Sequence, residues 1–397
     1  MNAAELQPAL LVVNAGSSSV KLAVFSEDHP AVPLLSAQLE RLGSDQASGW
    51  FRVGSKQREL IEIDAMAGAD HDSALRHVLP EIEQRIDVTI KAAGHRVVHG
   101  GPDFSTSVVI DDTVLEKLEA LVPLARTHQP QSLSAIRAVG RIWPSIPQVA
   151  SFDTAFHATI PEQARTFALP SDIRSAGVRR YGFHGLSYRW IAHCLPEHMG
   201  PAAEGRIIAA HLGNGASLCG MVGRESRATT MGFTPLDGLV MGERPGLTDP
   251  GAILFMLEEL GLSVAELRGL LFKKSGLLGL SGLTNDMRTL SESDDPACRF
   301  AIEVYLHRIV REIGAIAAEI GGIDGLVFTG GVGENAAFVR QRVVEKLDWL
   351  GLTLDEQKNT SGAQYLNAPD HKPIAIIPAN EESMIATEML SVLGTTS

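Results

Sequence analysis

Two short glycine- and serine-rich turns, half a chain apart, constrain this sequence more than any other feature. The first is Val13-Asn14-Ala15-Gly16-Ser17-Ser18-Ser19-Val20-Lys21, set between the apolar runs 10–13 and 22–25. The second is His211-Leu212-Gly213-Asn214-Gly215-Ala216-Ser217, set between 207–210 and 218–222. Each reads as strand, small-residue turn, strand. Turns of Gly and Ser leave backbone N–H groups open, the geometry that cradles phosphate. Two such turns suggest a nucleotide clamped between two halves of one protein; the plainer alternative is a pair of ordinary hairpins.

The chain has 397 residues, too many for one efficiently packed core, so two domains are expected. A net charge of −13 argues against broad nucleic-acid binding, although a few gathered cations can still hold an anion. The cysteines, Cys194, Cys219 and Cys298, are widely spaced and suggest neither a disulfide scaffold nor a zinc site. The N-terminal apolar run is too short for a signal peptide, and no uncharged run is long enough to span a bilayer. The cytoplasm is the expected location.

Strands alternate with helical stretches, the pattern of an α/β protein. Helices are expected at 111–121, capped by Asp111 or Asp112, and around 133–139. Asp249 followed by Pro250 is a cap with proline at the first helical position, starting a helix through Leu260. Residues 300–320 form a long amphipathic helix, with Ile302, Leu306, Ile309, Ile313 and Ile316 on one face. Short strands are expected at 149–152, 325–328 and 374–377, with Asn380 capping a last helix over 381–393. The second domain should begin shortly after Asp153.

Several segments carry chemistry. The glycine-rich segment 330–335 reads as a loop at the carboxyl end of a strand, where open α/β sheets bind ligands. It lacks the spacing of a dinucleotide fingerprint and suits the wall of a nucleotide site, or a tight strand-to-helix turn. Lys21 can reach a phosphate or simply be solvated, and Asn14 can serve Mg²⁺ or cap its own backbone. In Gly94-His95-Arg96-Val97-Val98-His99-Gly100-Gly101 the β-branched centre makes a strand, and no glutamate completes a zinc-helix motif. Arg96 there suits bidentate binding of a carboxylate or phosphate, or a structural salt bridge. Asp153 closes a buried strand, a place for a metal-holding or catalytic carboxylate or a helix cap. The segments 179–185 and 241–246 add His184 and Arg244. Cations, a carboxylate and phosphate cradles together are what phosphoryl transfer requires.

Along its whole length the chain resembles the acetate kinases, of the superfamily that also holds sugar kinases, actin and chaperone ATPases. The blocks that carry the likeness are N-A-G-S-S-S-x-K, G-H-R-V-V-H-G-G, F-D-T-A-F-H, R-R-Y-G-F-H-G, H-L-G-N-G-A-S, M-G-x-R-x-G, S-G-L-L-G-x-S-G, D-M-R, G-x-G-E-N and N-E-E. The resemblance implies two ribonuclease-H-like domains with the active site in the cleft between them, and a homodimer. Domain one would comprise 1–153 and the C-terminal helix 380–397; domain two would comprise 154–379. The implied activity is reversible, Mg²⁺-dependent transfer from ATP to acetate, giving acetyl phosphate and ADP, with Mn²⁺ as a substitute metal and propionate as the alternative acid.

Carried over by position, the resemblance implies Asn14 and Glu381 for Mg²⁺ and Lys21 for the nucleotide. Further nucleotide contacts would come from His211, Leu212, Gly213, Asn214 and Gly215, from Asp286, Met287 and Arg288, and from Gly331, Val332, Gly333, Glu334 and Asn335. Arg96 would hold the acyl carboxylate, with Val98, Phe183 and Pro235 around the acyl chain. Asp153 is the implied active-site acid, and His184 and Arg244 would stabilise the phosphoryl group in flight. The acceptor carboxylate is already ionised at neutral pH, so Asp153 is expected to orient a metal-bound water or Arg244 and not to take a proton.

The chain departs from the family pattern at Thr127, Gln129, Leu186, Tyr188, Glu243, Pro245 and Leu247. These changes bear on substrate size, because one methylene in an apolar pocket discriminates by only about 1–3 kcal/mol. A sugar kinase would need a base and a polar pocket, and an actin-like switch would need no convergence of Arg96, His184 and Arg244. A phosphate acyltransferase would have no use for two nucleotide turns.

Overall fold

A computed structural model describes residues 6–16, 18–61, 68–126 and 128–394. The chain divides into two compact units, Met1–Phe156 with Asn380–Ser397, and His157–Ala379. Each unit is built on one sheet.

The first unit holds β1 (Gln7–Ala15), β2 (Val20–Ser26), β3 (Leu35–Glu40), β4 (Ser48–Val53), β5 (Glu59–Leu60), β6 (Val88–Val97), β7 (Val108–Val109) and β8 (Gln148–Phe152), in the order β5-β4-β3-β2-β1-β6-β8-β7. β1, β2 and β3 form an antiparallel meander, while β6 lies parallel to β1 and β8 parallel to β6. β1 is buried from Ala9 to Ala15, apolar throughout except for Asn14, as expected of a strand covered on both faces. The helix His71–Arg85 starts where Asp70 accepts the Ser73 amide, and it buries Ala74, Leu75, Val78, Leu79 and Ile82 at helical spacing. The Glu381–Gly394 helix also packs on this sheet; a methyl at Gly94 would lie 2.7 Å from Ile385 Cγ2. Burying each such aliphatic side chain contributes roughly 1.5–3 kcal/mol.

The second unit holds β9 (Arg206–Leu212), β10 (Ala216–Val222), β11 (Glu225–Thr229), β12 (Gly325–Thr329) and β13 (Ile374–Ile376), in the order β11-β10-β9-β12-β13. Here too three antiparallel strands come first, and β12 and β13 then add in parallel on the far side of β9. The shared plan, β3-β2-β1-β6-β8 and β11-β10-β9-β12-β13, is the expected pair of ribonuclease-H-like domains. The two phosphate-type turns join β1 to β2 and β9 to β10. Equivalent turns therefore sit at equivalent places in the two sheets.

The long helix runs from Pro296 to Glu319 and buries Ile302, Leu306, Ile309, Ile313 and Ile316, the predicted face. It begins four residues earlier than expected, because Asp295 caps it and Pro296 fills its first position. Segment 330–335 differs from the loop expected: it is itself a helical turn, Gly330–Asn335. Gly330 enters it at φ +77°, and a methyl there would lie 2.7 Å from Leu212 O, so only glycine makes this bend. Glu334 then closes the turn by accepting the Gly330 amide at 2.9 Å.

Candidate active site

In the first unit, adjacent parallel strands bring Arg96 of β6 opposite Ser151 of β8, so Asp153, just past the strand end, meets the guanidinium. Arg96 Nε donates to both Asp153 oxygens at 2.9 and 3.1 Å, and Nη2 donates to Oδ2 at 2.5 Å. Arg96 Nη1 donates to Asn14 Oδ1 at 3.2 Å. Asn14 Nδ2 in turn reaches Glu381 Oε2 at 3.2 Å and Glu382 Oε1 at 2.9 Å. Asp153 is 1% exposed. Burial pushes its carboxyl upward while Arg96 pulls the other way. Burial also opposes the Arg96 charge, but Asp153 and then Glu381 outweigh it and hold the guanidinium above its ordinary range. The pair is therefore a fixed ion pair, with Arg96 as Asp153's partner.

A guanidinium carries five N–H donors. The Asp153 and Asn14 bonds engage Nε and one hydrogen on each terminal nitrogen, leaving one on Nη1 and one on Nη2. Two such hydrogens suit a second carboxylate. Val98 is buried two residues further on, and Lys21 is the cross-strand partner of Asn14. Lys21 lines a cavity of about 260 Å³ together with Arg52, Trp50 and Glu382. Ser17 of the first turn and Thr127 lie outside the described residues.

The second unit gathers His184, His211, Asn214, Gly215 and Arg244. His184 caps the Gly185–Met199 helix in a left-handed conformation, φ 59°, uncommon for any residue but glycine and frequent at functional sites. Its Nδ1 bonds Ser217 Oγ at 2.9 Å, and its ring stacks on His211 at 4.4 Å. Arg244 Nη1 donates to Pro235 O at 2.7 Å. A methyl at Gly215 would lie 2.7 Å from Arg244 Nη2 and 3.2 Å from His184 Nε2, so both side-chain tips converge on the second turn. Burial draws the Arg244 guanidinium down to about 10, against the pull of Glu243, and it stays charged at neutral pH.

Beside this turn lies a cavity of about 610 Å³, within the range that holds small ligands. Gly213, Asn214, Asp286, Met287, Arg288, Gly331, Val332 and Asn335 line it. Gly215 and Gly333 are not among its walls, and the Leu212 side chain is in the core. Two carboxylates expected at the nucleotide also accept backbone amides. Asp286 caps its helix through the Thr289 amide, and Glu334 accepts the amides of Gly330 and Ala379. Phe183 is buried, its carbonyl accepting from or facing His157 Nε2 at 3.0 Å.

Sequence reading missed several contributors. Ser217 and Tyr188 lie behind His184; Asn285 bonds Asn214 Oδ1 at 3.2 Å and Glu243 Oε1 at 3.3 Å. Buried Arg340 holds the Gly330–Asn335 turn through the carbonyls of Gly333 and Glu334. Glu382 was legible only as the last letter of N-E-E. Among the described residues no three His, Cys, Asp or Glu side chains form a metal-holding group. Mg²⁺ needs no such group, since it is commonly held by one or two carboxylates together with substrate phosphates, and Glu381 beside Asn14 fits that mode.

The model of the acetokinase family matches residues 9–387. The chain belongs to the acetokinase family. An acetate kinase from Rhodopseudomonas palustris is 48% identical over 384 residues, spanning 95% of this chain and 96% of its own. Among solved structures, a propionate kinase from Francisella tularensis is similar with a TM-score of 0.89 and 37% identity, over 96% of this chain and 98% of its own. An acetate kinase from Porphyromonas gingivalis gives 0.88 and 36%, over 97% and 100%. This acetokinase is therefore a kinase with ATP as co-substrate. Among its described residues no helix is long and apolar enough to cross a membrane.

Proposed function

We propose that this acetokinase catalyses reversible transfer of the terminal phosphoryl group of ATP to acetate, giving acetyl phosphate and ADP. The observation that carries this reading is the convergence of His184 Nε2 and Arg244 Nη2 on Gly215 in the second phosphate turn. There a nucleotide in the neighbouring cavity would present its phosphates, and the two side chains would meet the equatorial oxygens as charge spreads over them. Backbone amides of 211–215 and 331–335 would serve the nucleotide, with Arg288 and Lys21 as its cations. Arg96 would hold the acetate carboxylate with its two remaining terminal hydrogens, and Val98, Phe183 and Pro235 would meet the methyl group. Asp153 would fix the guanidinium plane and take no proton, since acetate arrives ionised. Mg²⁺, held by Glu381 and Asn14, would supply charge neutralisation on the phosphates.

Propionate is the second reading, supported by the likeness to the Francisella propionate kinase. Acid-dependent ADP release with acetate, propionate and butyrate at saturating ATP tests both. The highest kcat/KM for acetate supports the first reading and the highest for propionate the second; ADP release unaffected by any acid refutes both.

We also propose a homodimer and a cytoplasmic location, where the nucleotide is supplied. The support for self-association is the helix Pro250–Glu258. It is rich in large apolar residues yet buries none, leaving Leu254 and Phe255 each 53% exposed, and Leu260 and Val264 beyond it are exposed too. Apolar surface of that kind marks an interaction site.

A further inference from the structure

Behind His184 stands a buried hydroxyl pair that no part of the proposed reaction uses. Tyr188 lies one turn along the Gly185–Met199 helix and is fully buried. Its hydroxyl is 2.5 Å from Ser217 Oγ, and Ser217 Oγ is 2.9 Å from His184 Nδ1. Ser217 is itself fully buried on β10, opposite His211 of β9. The Tyr188 hydroxyl has Ser217 Oγ within reach as the acceptor of its proton. Ser217 then has His184 Nδ1 in reach for its own proton.

We propose that Tyr188 is a positioning residue which, through Ser217, fixes His184 as the neutral tautomer with its proton on Nε2, the nitrogen aimed at Gly215. Each proton in the chain then has one acceptor: Tyr188 O–H to Ser217, Ser217 O–H to Nδ1, and Nε2–H toward the phosphoryl oxygens. A second proton on Nδ1 would leave the Ser217 hydrogen facing another donor. His184 thus acts as a fixed neutral donor, and Arg244 carries the positive charge. The second ring of the stack is oriented independently, because Ser187 Oγ bonds His211 Nδ1 at 2.8 Å.

This inference rests on the reading of His184 as a phosphoryl-facing donor, and the experiment separates the two. Nitrogen NMR of histidine-labelled, ligand-free protein at pH 8 reports the His184 tautomer without any turnover, with His184→Asn used to assign the signal. The expected result is an unprotonated Nδ1 in the native chain and an appreciable Nδ1–H population in Tyr188→Phe. An Nδ1–H tautomer in the native chain overturns the relay whether or not the variant folds. In steady state, Tyr188→Phe should lower kcat about tenfold with KM values within about twofold, the size typical of losing an orienting partner. Ser217→Ala should do at least as much, and the double variant no more than Ser217→Ala alone. Additive losses would overturn the proposal. If the native chain shows the expected tautomer but no acid-dependent turnover, the relay stands and the kinase reading falls.

Discussion

Replacing Gly215 by alanine separates a catalytic role for the second turn from a structural one. The new methyl would lie 2.7 Å from Arg244 Nη2 and 3.2 Å from His184 Nε2, while ordinary contact begins at 3.4 Å. The guanidinium must therefore retreat by about 0.7 Å (3.4 − 2.7) and the imidazole by about 0.2 Å (3.4 − 3.2). Both intruded atoms are ends of side chains, and Gly215 has no left-handed φ, so folding should change by less than about 1 kcal/mol. A displacement near 1 Å at a reacting group can cost about 10²-fold in rate. We expect Gly215→Ala to lower kcat by about 10- to 100-fold, read as hydroxylamine-trapped acyl phosphate, with an unchanged melting temperature. A kcat within twofold of the parent, or a loss matched by a fall in melting temperature, would refute the reasoning.

Four further outcomes follow from the same geometry. Arg244→Ala should cut kcat by about 10³-fold or more if it acts as arginine fingers do, and an effect confined to KM would contradict that role. Asp153→Ala strips Arg96 of its bidentate partner and should destabilise the protein by about 3 kcal/mol in urea unfolding, the low end for a broken buried pair because Asn14 and Glu381 remain near. Burial lowers His95 and His157 to about 4, so the unfolded chain binds more protons than the native one between there and 6.5. Their stabilisation is full above pH 6.5 and lost as pH falls; the unfolding free energy from urea titrations should drop by about 2 kcal/mol per histidine between pH 7 and pH 5. Phe255→Glu, at a 53% exposed position, should shift the species seen by light scattering from dimer to monomer without loss of helix content.

What the sequence revealed most clearly was local. Asp111, Asp249 with Pro250, and Asn380 each mark a helix start where the structure has one, because a cap and its first turn are neighbours in the chain. The same signature at Asp295-Pro296 marks the start of the long helix better than apolar periodicity does, since periodicity fixes a helix face better than its end. β3, β4 and β5 escaped reading, since these short strands owe their place to successive pairing outward from β2. The site divides the same way. Arg96, His184 and Arg244 stood out as charged or polar groups near glycines, and Asp153 as the acid closing a buried strand. Ser217 did not, and Tyr188 stood out only as a departure from the family pattern, because their meaning comes from the β9–β10 register against a helix, which spacing along one chain does not encode. Glu334, a carboxylate in a suggestive motif, closes a backbone turn that the motif alone did not reveal.

The central claim is that the phosphoryl group leaves ATP and arrives on the carboxylate of a short fatty acid. Phosphorus NMR of the purified chain with ATP, Mg²⁺ and acetate observes both ends of that transfer at once. Acetyl phosphate and ADP should grow in equal amounts, and ATP should reappear when acetyl phosphate and excess ADP are supplied. Inorganic phosphate rising from the start in step with ADP, with no acyl phosphate signal, would contradict it.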